Sequence, residues 1–189
     1  LGWFRKKVQQ RFEVKFRGRF GSGQHDDKSM RILNRIVTWY PDRIEYEPDQ
    51  RHSETIIKQM GLSDKDKIVS TPVIVKNKYE LDVGTEVLNP KQTSMYRAMV
   101  ARANYLAQDR TDIRFAVKEL SRQMSKPRVR DLECLKRLAR YLIGAKRMCS
   151  VYPRQEVHKT IESWSDSNWA GCLETRKSTS GGVIKIGSH

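Results

Sequence analysis

Cysteine is scarce in this 189-residue sequence: Cys134, Cys149 and Cys172 are odd in number, scattered, and in no C-x-x-C pair. Neither a disulfide framework nor a zinc knuckle is supported, and a reducing, intracellular setting, cytoplasmic or nuclear, fits best. No apolar run approaches the roughly 20 residues that a spanning helix needs. Mean hydropathy is −0.71, so the expectation is a soluble chain with no membrane partner. Residues 1–7 lack the order of a signal peptide. No internal repeat is present, and His25, His52, His158 and His189 have no spacing typical of a metal site. The chain starts on Leu1 and stops just after the apolar run at 182–187, and both ends are expected to be those of a piece of something longer.

Acidic residues are also short, 22 against 37 Lys+Arg, giving a formal charge of +15 and a pI near 9.9. Such a balance favours a polyanionic partner, nucleic acid first. Residues 91–150 alone carry +10 of the excess and residues 1–20 carry +6, while residues 21–90 are slightly acidic at −2.

Phe4, Val8, Phe12 and Phe16 recur every four residues, which predicts a short amphipathic helix over 1–16. Runs at 31–38 and 43–47 around Tyr40-Pro41-Asp42 predict a β-hairpin, and a helix follows from Arg51 to Met60, closed by Gly61. Residues 63–92 are polar and irregular and read as a surface linker. Three helices are then expected: one capped by Thr93 or Ser94 and ending near Gln108, one from Thr111 or Asp112 to about Met124, and one from Val129 to Ile143 stopped by Gly144. Leu132, Leu135, Ala139 and Leu142 share the apolar face of the third, with Lys136, Arg137 and Arg140 toward its flank and far side. Phe115, set among Ile113, Ala116 and Val117, is expected in the core. Beyond Gly144 the period changes to that of strands, at 148–152, 160–164 and 182–186.

Residues 96–144 carry Tyr96-Arg97, Tyr105-Leu106-Ala107, Arg110, Asp112-Ile113, Phe115-Ala116-Val117, Leu120-Ser121-Arg122, Met124, Pro127, Leu135-Lys136-Arg137, Arg140-Tyr141-Leu142 and Gly144 in order. This series closely resembles the Ty1/copia reverse transcriptases. A second signature, Ser165-Asp166-Ser167-Asn168-Trp169-Ala170-Gly171 and then Arg176-Lys177-Ser178-Thr179-Ser180-Gly181, is similar to the opening of that family's ribonuclease H domain. Asn168 stands where the family usually has a second aspartate. The first half of the chain resembles the family only loosely, through the hairpin, the helix after it and Val69-Ser70-Thr71-Pro72.

The resemblance implies an α+β chain in three parts: residues 1–90 the end of a polymerase palm, 91–147 a three-helix thumb, and 148–189 the first strands of a ribonuclease H-like sheet. It further implies that the thumb lies against an RNA–DNA hybrid or DNA duplex, with Arg97, Arg102, Arg114, Arg122, Lys136, Arg137 and Arg140 as candidates for phosphate contacts. Asp166, ending a strand expected to be buried, is then the first of several carboxylates that hold Mg2+. The remaining parts of the Pol polyprotein would be partners. The palm Asp-Asp motif is missing, and Asp26-Asp27 follows a glycine-rich turn rather than an apolar strand. Neither active site is therefore expected to be complete in this chain. A non-enzymatic relic that binds nucleic acid without sequence preference, and a helical interaction domain with incidental charge, are the alternatives.

Overall fold

The computed structural model describes residues 2–73, 84–172 and 175–189. Its elements are α1 (Gly2–Gln9), β1 (Ser29–Ile32), β2 (Arg35–Trp39), β3 (Arg43–Glu47), α2 (Arg51–Gln59), α3 (Pro90–Ala107), a single 3-10 turn (Thr111–Ile113), α4 (Arg114–Arg122), α5 (Val129–Gly144), β4 (Ser150–Pro153), β5 (Glu162–Ser167) and β6 (Ser180–Lys185). The class is α+β, with two antiparallel sheets among the described residues.

Helices α2 to α5 enclose the core. Ile56 and Ile57 of α2, Val100, Ala103 and Leu106 of α3, Val117 and Leu120 of α4, and Leu135, Leu138 and Leu142 of α5 are all buried. The Tyr96 ring is fully buried among them, and its hydroxyl donates at 2.8 Å to the carbonyl of Leu120, which also accepts from the Gln123 amide at 3.2 Å at the end of α4. α3 begins earlier than the expected Thr93 or Ser94. Pro90 sits in the first turn, where a missing N–H costs nothing. Asn89 Oδ1 accepts from the Gln92 amide at 2.9 Å, while Gln92 Oε1 accepts from the Asn89 amide at 3.3 Å. α2 stops as expected: Gly61 takes a φ of +67°, which carries the chain out of the helix.

The expected strand over 31–38 is instead broken into β1 and β2 by a two-residue turn. Leu33 (φ 49°) and Asn34 (φ 65°) both adopt the left-handed region that a tight hairpin requires. Asparagine tolerates that region, but leucine does not, and Leu33 buries little there, being 76 % exposed. Leu33→Asn is therefore expected to raise stability by about 0.5–1 kcal/mol. A thermal melt that moves downward would contradict this backbone assignment.

Two further differences bear on the site. The strand after Gly144 does not join the two strands that follow it: β4 pairs with β3, Tyr46 opposite Ser150 and Arg43 opposite Pro153, giving a sheet in the order β1-β2-β3-β4. β5 and β6 make a separate ribbon, and every residue of both is exposed. The Trp164-Ser165-Asp166 strand is thus not buried, because among the described residues it has one neighbouring strand and no layer packed on either face. At the N-terminus, among the described residues of the expected 1–16 helix, Gly2–Gln9 is helical and residues 10–16 are not, and no residue of α1 is buried. A helix this short with no surface to pack on is marginal, and Phe12 and Phe16 fall outside it. Arg5 instead stacks on the Phe16 ring at 4.1 Å.

Candidate nucleic-acid interface

The seven basic candidates fold into different circumstances, and carbonyl groups decide most of them. Arg114 opens α4 and reaches back to the carbonyls of Ala107 (3.0 Å) and Gln108 (2.9 Å), closing the end of α3. Arg97 donates to the carbonyls of Met124 (2.6 Å) and Ser125 (2.8 Å), just beyond α4. Arg137 donates to the carbonyls of Thr71 and Val73, each at 3.1 Å, and to Thr71 Oγ1 at 2.8 Å. Arg122 pairs with Glu119 at 3.5 Å and donates to Cys172 Sγ at 2.8 Å, which ties α4 to the loop before β6. These side chains hold loops and helix ends in place, so much of their donor capacity is already used. By contrast, Arg102, Lys136 and Arg140 make no hydrogen bond or ion pair among the described residues.

The same three lie on two surfaces. Lys136 and Arg140 stand one turn apart on α5, beside Asp66. Hydrogen bonds from the Ser63 amide and hydroxyl, with Arg140 and Lys136 nearby, hold that carboxyl below its usual range. Arg102 is on α3 toward α2, next to His52. Burial pushes the His52 imidazole down despite Asp49, and Arg102, Arg51 and Arg35 push the same way. The His52 ring packs on Tyr105 with centroids 4.7 Å apart, and Arg35 lies 5.1 Å from the Tyr105 ring on its way to Asp109.

Fixed polar joints set this arrangement. Arg110, 2 % exposed, grips Asp112 through two hydrogen bonds (2.9 and 2.7 Å) and donates to the carbonyl of Ala145 at 2.8 Å. Tyr141 adds a bond to Asp112 at 2.9 Å, so the α3–α4 turn is fastened to the end of α5. Arg35 and Tyr46 reach Asp109 at 2.7 and 2.8 Å, fastening the sheet to the same turn. Burial and then Asp109 push the Tyr46 phenol up to about 12. Sequence reasoning named Arg110 and Asp112 only within the family series, with Asp112 as a possible helix start, and did not name Asp109. The Arg110-x-Asp112 spacing was the one available signal.

Asp166 lies in β5 opposite Gly181, and its Oδ1 accepts from the Ser167 amide at 2.8 Å. Asn168 Oδ1 accepts from the Thr179 amide at 2.6 Å and the Asn168 amide donates to the Thr179 carbonyl at 3.1 Å, closing the mouth of the ribbon. No three His, Cys, Asp or Glu side chains converge among the described residues in a way that would hold a metal ion. The described residues thus do not by themselves make a magnesium site. Asp26 binds Arg19 and accepts from the Gly23 amide at 2.8 Å, which makes it part of the glycine-rich loop. Tyr105 is 37 % exposed and Tyr141 is half-buried. Phe115, expected in the core, is 49 % exposed, because α4 turns Ala116, Val117 and Leu120 inward instead.

The chain is 34% identical over 123 residues to the retrovirus-related Pol polyprotein from transposon RE1 of Arabidopsis thaliana, and 32% identical over 123 residues to that from transposon RE2. It is related to the Pol polyproteins of transposons. The match covers 65% of this chain but 8% of either polyprotein. The mitochondrial protein AtMg00810 of the same plant is 31% identical over 143 residues, which covers 74% of this chain and 55% of that protein. The chain therefore spans about half of one relative and less than a tenth of the Pol polyproteins. No protein-family model matches the chain. No solved structure matches it closely enough to count. The Pol relationship is consistent with the copia-type resemblance read from the sequence. No helix among the described residues is long and apolar enough to cross a membrane.

Proposed function

We propose that this Pol-related chain holds duplex nucleic acid, RNA–DNA hybrid or DNA, by its backbone, as the thumb and adjoining segments of a reverse transcriptase with ribonuclease H. The carrying observation is that residues 91–150, with +10 of the net charge, fold as three packed helices on which Arg102, Lys136 and Arg140 keep their donors unspent among the described residues. Phosphate contacts of this kind position a duplex without reading its sequence. Asp166 serves, in this reading, as one carboxylate of a nuclease centre whose other ligands come from elsewhere in a Pol polyprotein.

Neutralising Arg102, Lys136 and Arg140 together to glutamine is expected to weaken binding of the full chain to every duplex tested. It should also flatten the dependence of log affinity on log salt by about 0.9 for each phosphate that is no longer neutralised on B-form DNA. The same change at Arg154, Lys159 and Lys185 should do much less. Equal effects from the two sets would mean that net charge alone attracts the nucleic acid.

A further inference from the structure

The flank of α5 that carries Lys136, Arg137 and Arg140 is not open. Residues 63–73 run along it. Arg137 holds two carbonyls and a hydroxyl of Thr71 and Val73, Lys146 pairs with Asp64, and Asp66 sits beside Lys136 and Arg140. Ile68 packs onto Gly144 so closely that a Cβ there would meet Ile68 Cγ2 at 2.5 Å. Asp66 is itself aimed by bonds from the Ser63 amide (2.8 Å) and hydroxyl (2.9 Å), so its carboxylate is not a drifting surface charge. A helix flank meant for phosphates is here met by two carboxylates and a row of carbonyl oxygens, the same kind of acceptors that a nucleic-acid backbone presents.

We propose that residues 63–73 form an autoinhibitory strap, in which Asp64, Asp66 and the carbonyls held by Arg137 stand in for phosphates and must be displaced before a duplex can reach α5. The strap rests on the reading that this flank meets phosphates. Its contacts suit displacement: the Asp64–Lys146 pair is solvent-exposed, and such pairs contribute little each. A duplex offers Lys136 and Arg140 full phosphate charges and gains from counterion release, which the strap cannot match.

The test measures affinity of the full chain for an RNA–DNA hybrid at fixed low salt, in four forms: wild type, Asp64→Asn with Asp66→Asn, a charge-matched control with Glu13→Gln and Glu156→Gln, and Asp64→Asn with Asp66→Asn in a Lys136→Gln, Arg140→Gln background. The strap predicts that the first double variant binds about fivefold more tightly than the control of equal charge, the size expected from releasing the weak Asp64–Lys146 pair and removing the Asp66 charge beside Lys136 and Arg140. It also predicts that the gain disappears when Lys136 and Arg140 are neutralised. Binding no tighter than the control, or a gain that survives without Lys136 and Arg140, overturns the strap and leaves the duplex-binding reading standing. Absence of hybrid binding in all four forms overturns both.

Discussion

Asp112→Ala is expected to cost the fold about 3–5 kcal/mol. The reason is what the change leaves behind. Arg110 is 2 % exposed, and without Asp112 its guanidinium keeps a single one of its three hydrogen bonds, that to the Ala145 carbonyl. Tyr141 loses its acceptor at the same time. Replacing both partners, Arg110→Met with Asp112→Leu, removes the charge as well as the pair and is expected to cost much less. Urea unfolding of the two variants separates these cases, and a loss under about 1 kcal/mol for Asp112→Ala would show that the buried joint does not hold the α3–α4 turn to α5. The joint also gives a pH signature. Burial pushes the Asp112 carboxyl up, but Arg110 and Tyr141 outweigh it and hold it below its usual value. A carboxyl whose pKa is lower folded than unfolded contributes stability above its unfolded value, and that contribution fades as pH falls through the folded one. Wild type should therefore lose more stability than the double replacement below about pH 4.

Leu138→Ala carries the other large effect. Leu138 is fully buried on α5, facing the core shared by α2, α3 and α4, and truncation there is expected to cost about 2–5 kcal/mol through lost transfer energy and the cavity left behind. Phe115→Ala is the informative comparison. Its ring is the larger one, yet it is 49 % exposed with Lys118 beside it at 5.1 Å, so its loss should cost under about 1 kcal/mol. The order of the two losses in a urea titration checks the packing of α4 directly, since a ring facing inward would reverse it.

Phe115 also shows where sequence reading ran out. The helices α2 to α5 were legible because Leu135, Ala139 and Leu142 recur at helical spacing and Gly61 and Gly144 punctuate the ends. That spacing identifies an apolar face, but Phe115 sits one position off the inward stripe of Ala116, Val117 and Leu120, and a phenylalanine among apolar neighbours looks the same either way. The Leu33-Asn34 turn escaped because leucine is not a turn residue, and only Asn34 hinted at positive φ. The pairing of β4 with β3 joins residues about a hundred positions apart, and no local pattern specifies it.

At the candidate interface the limit was of another kind. Composition located the positive charge correctly along the chain, yet it could not tell an arginine that grips a carbonyl from one that faces solvent. Arg97, Arg114 and Arg137 are of the first kind, and their partners lie 6 to 66 residues away in sequence. The polar linker, read as a surface connection, supplies Asp64 and Asp66 to the helix flank. Its Lys76, Lys78, Glu80 and Asp82 fall outside the described residues.

A bundle that holds a duplex by its phosphates is tested by the affinity of the full chain for several hybrids and duplexes of unrelated sequence, followed across a salt series. Backbone binding should give near-equal affinities for all sequences, falling linearly in log–log form with a slope of magnitude about 2 or more, that is, at least two or three phosphates neutralised. Neutralising Arg102, Lys136 and Arg140 should flatten that slope. Strong preference for one sequence, or an affinity that barely responds to salt, would contradict it.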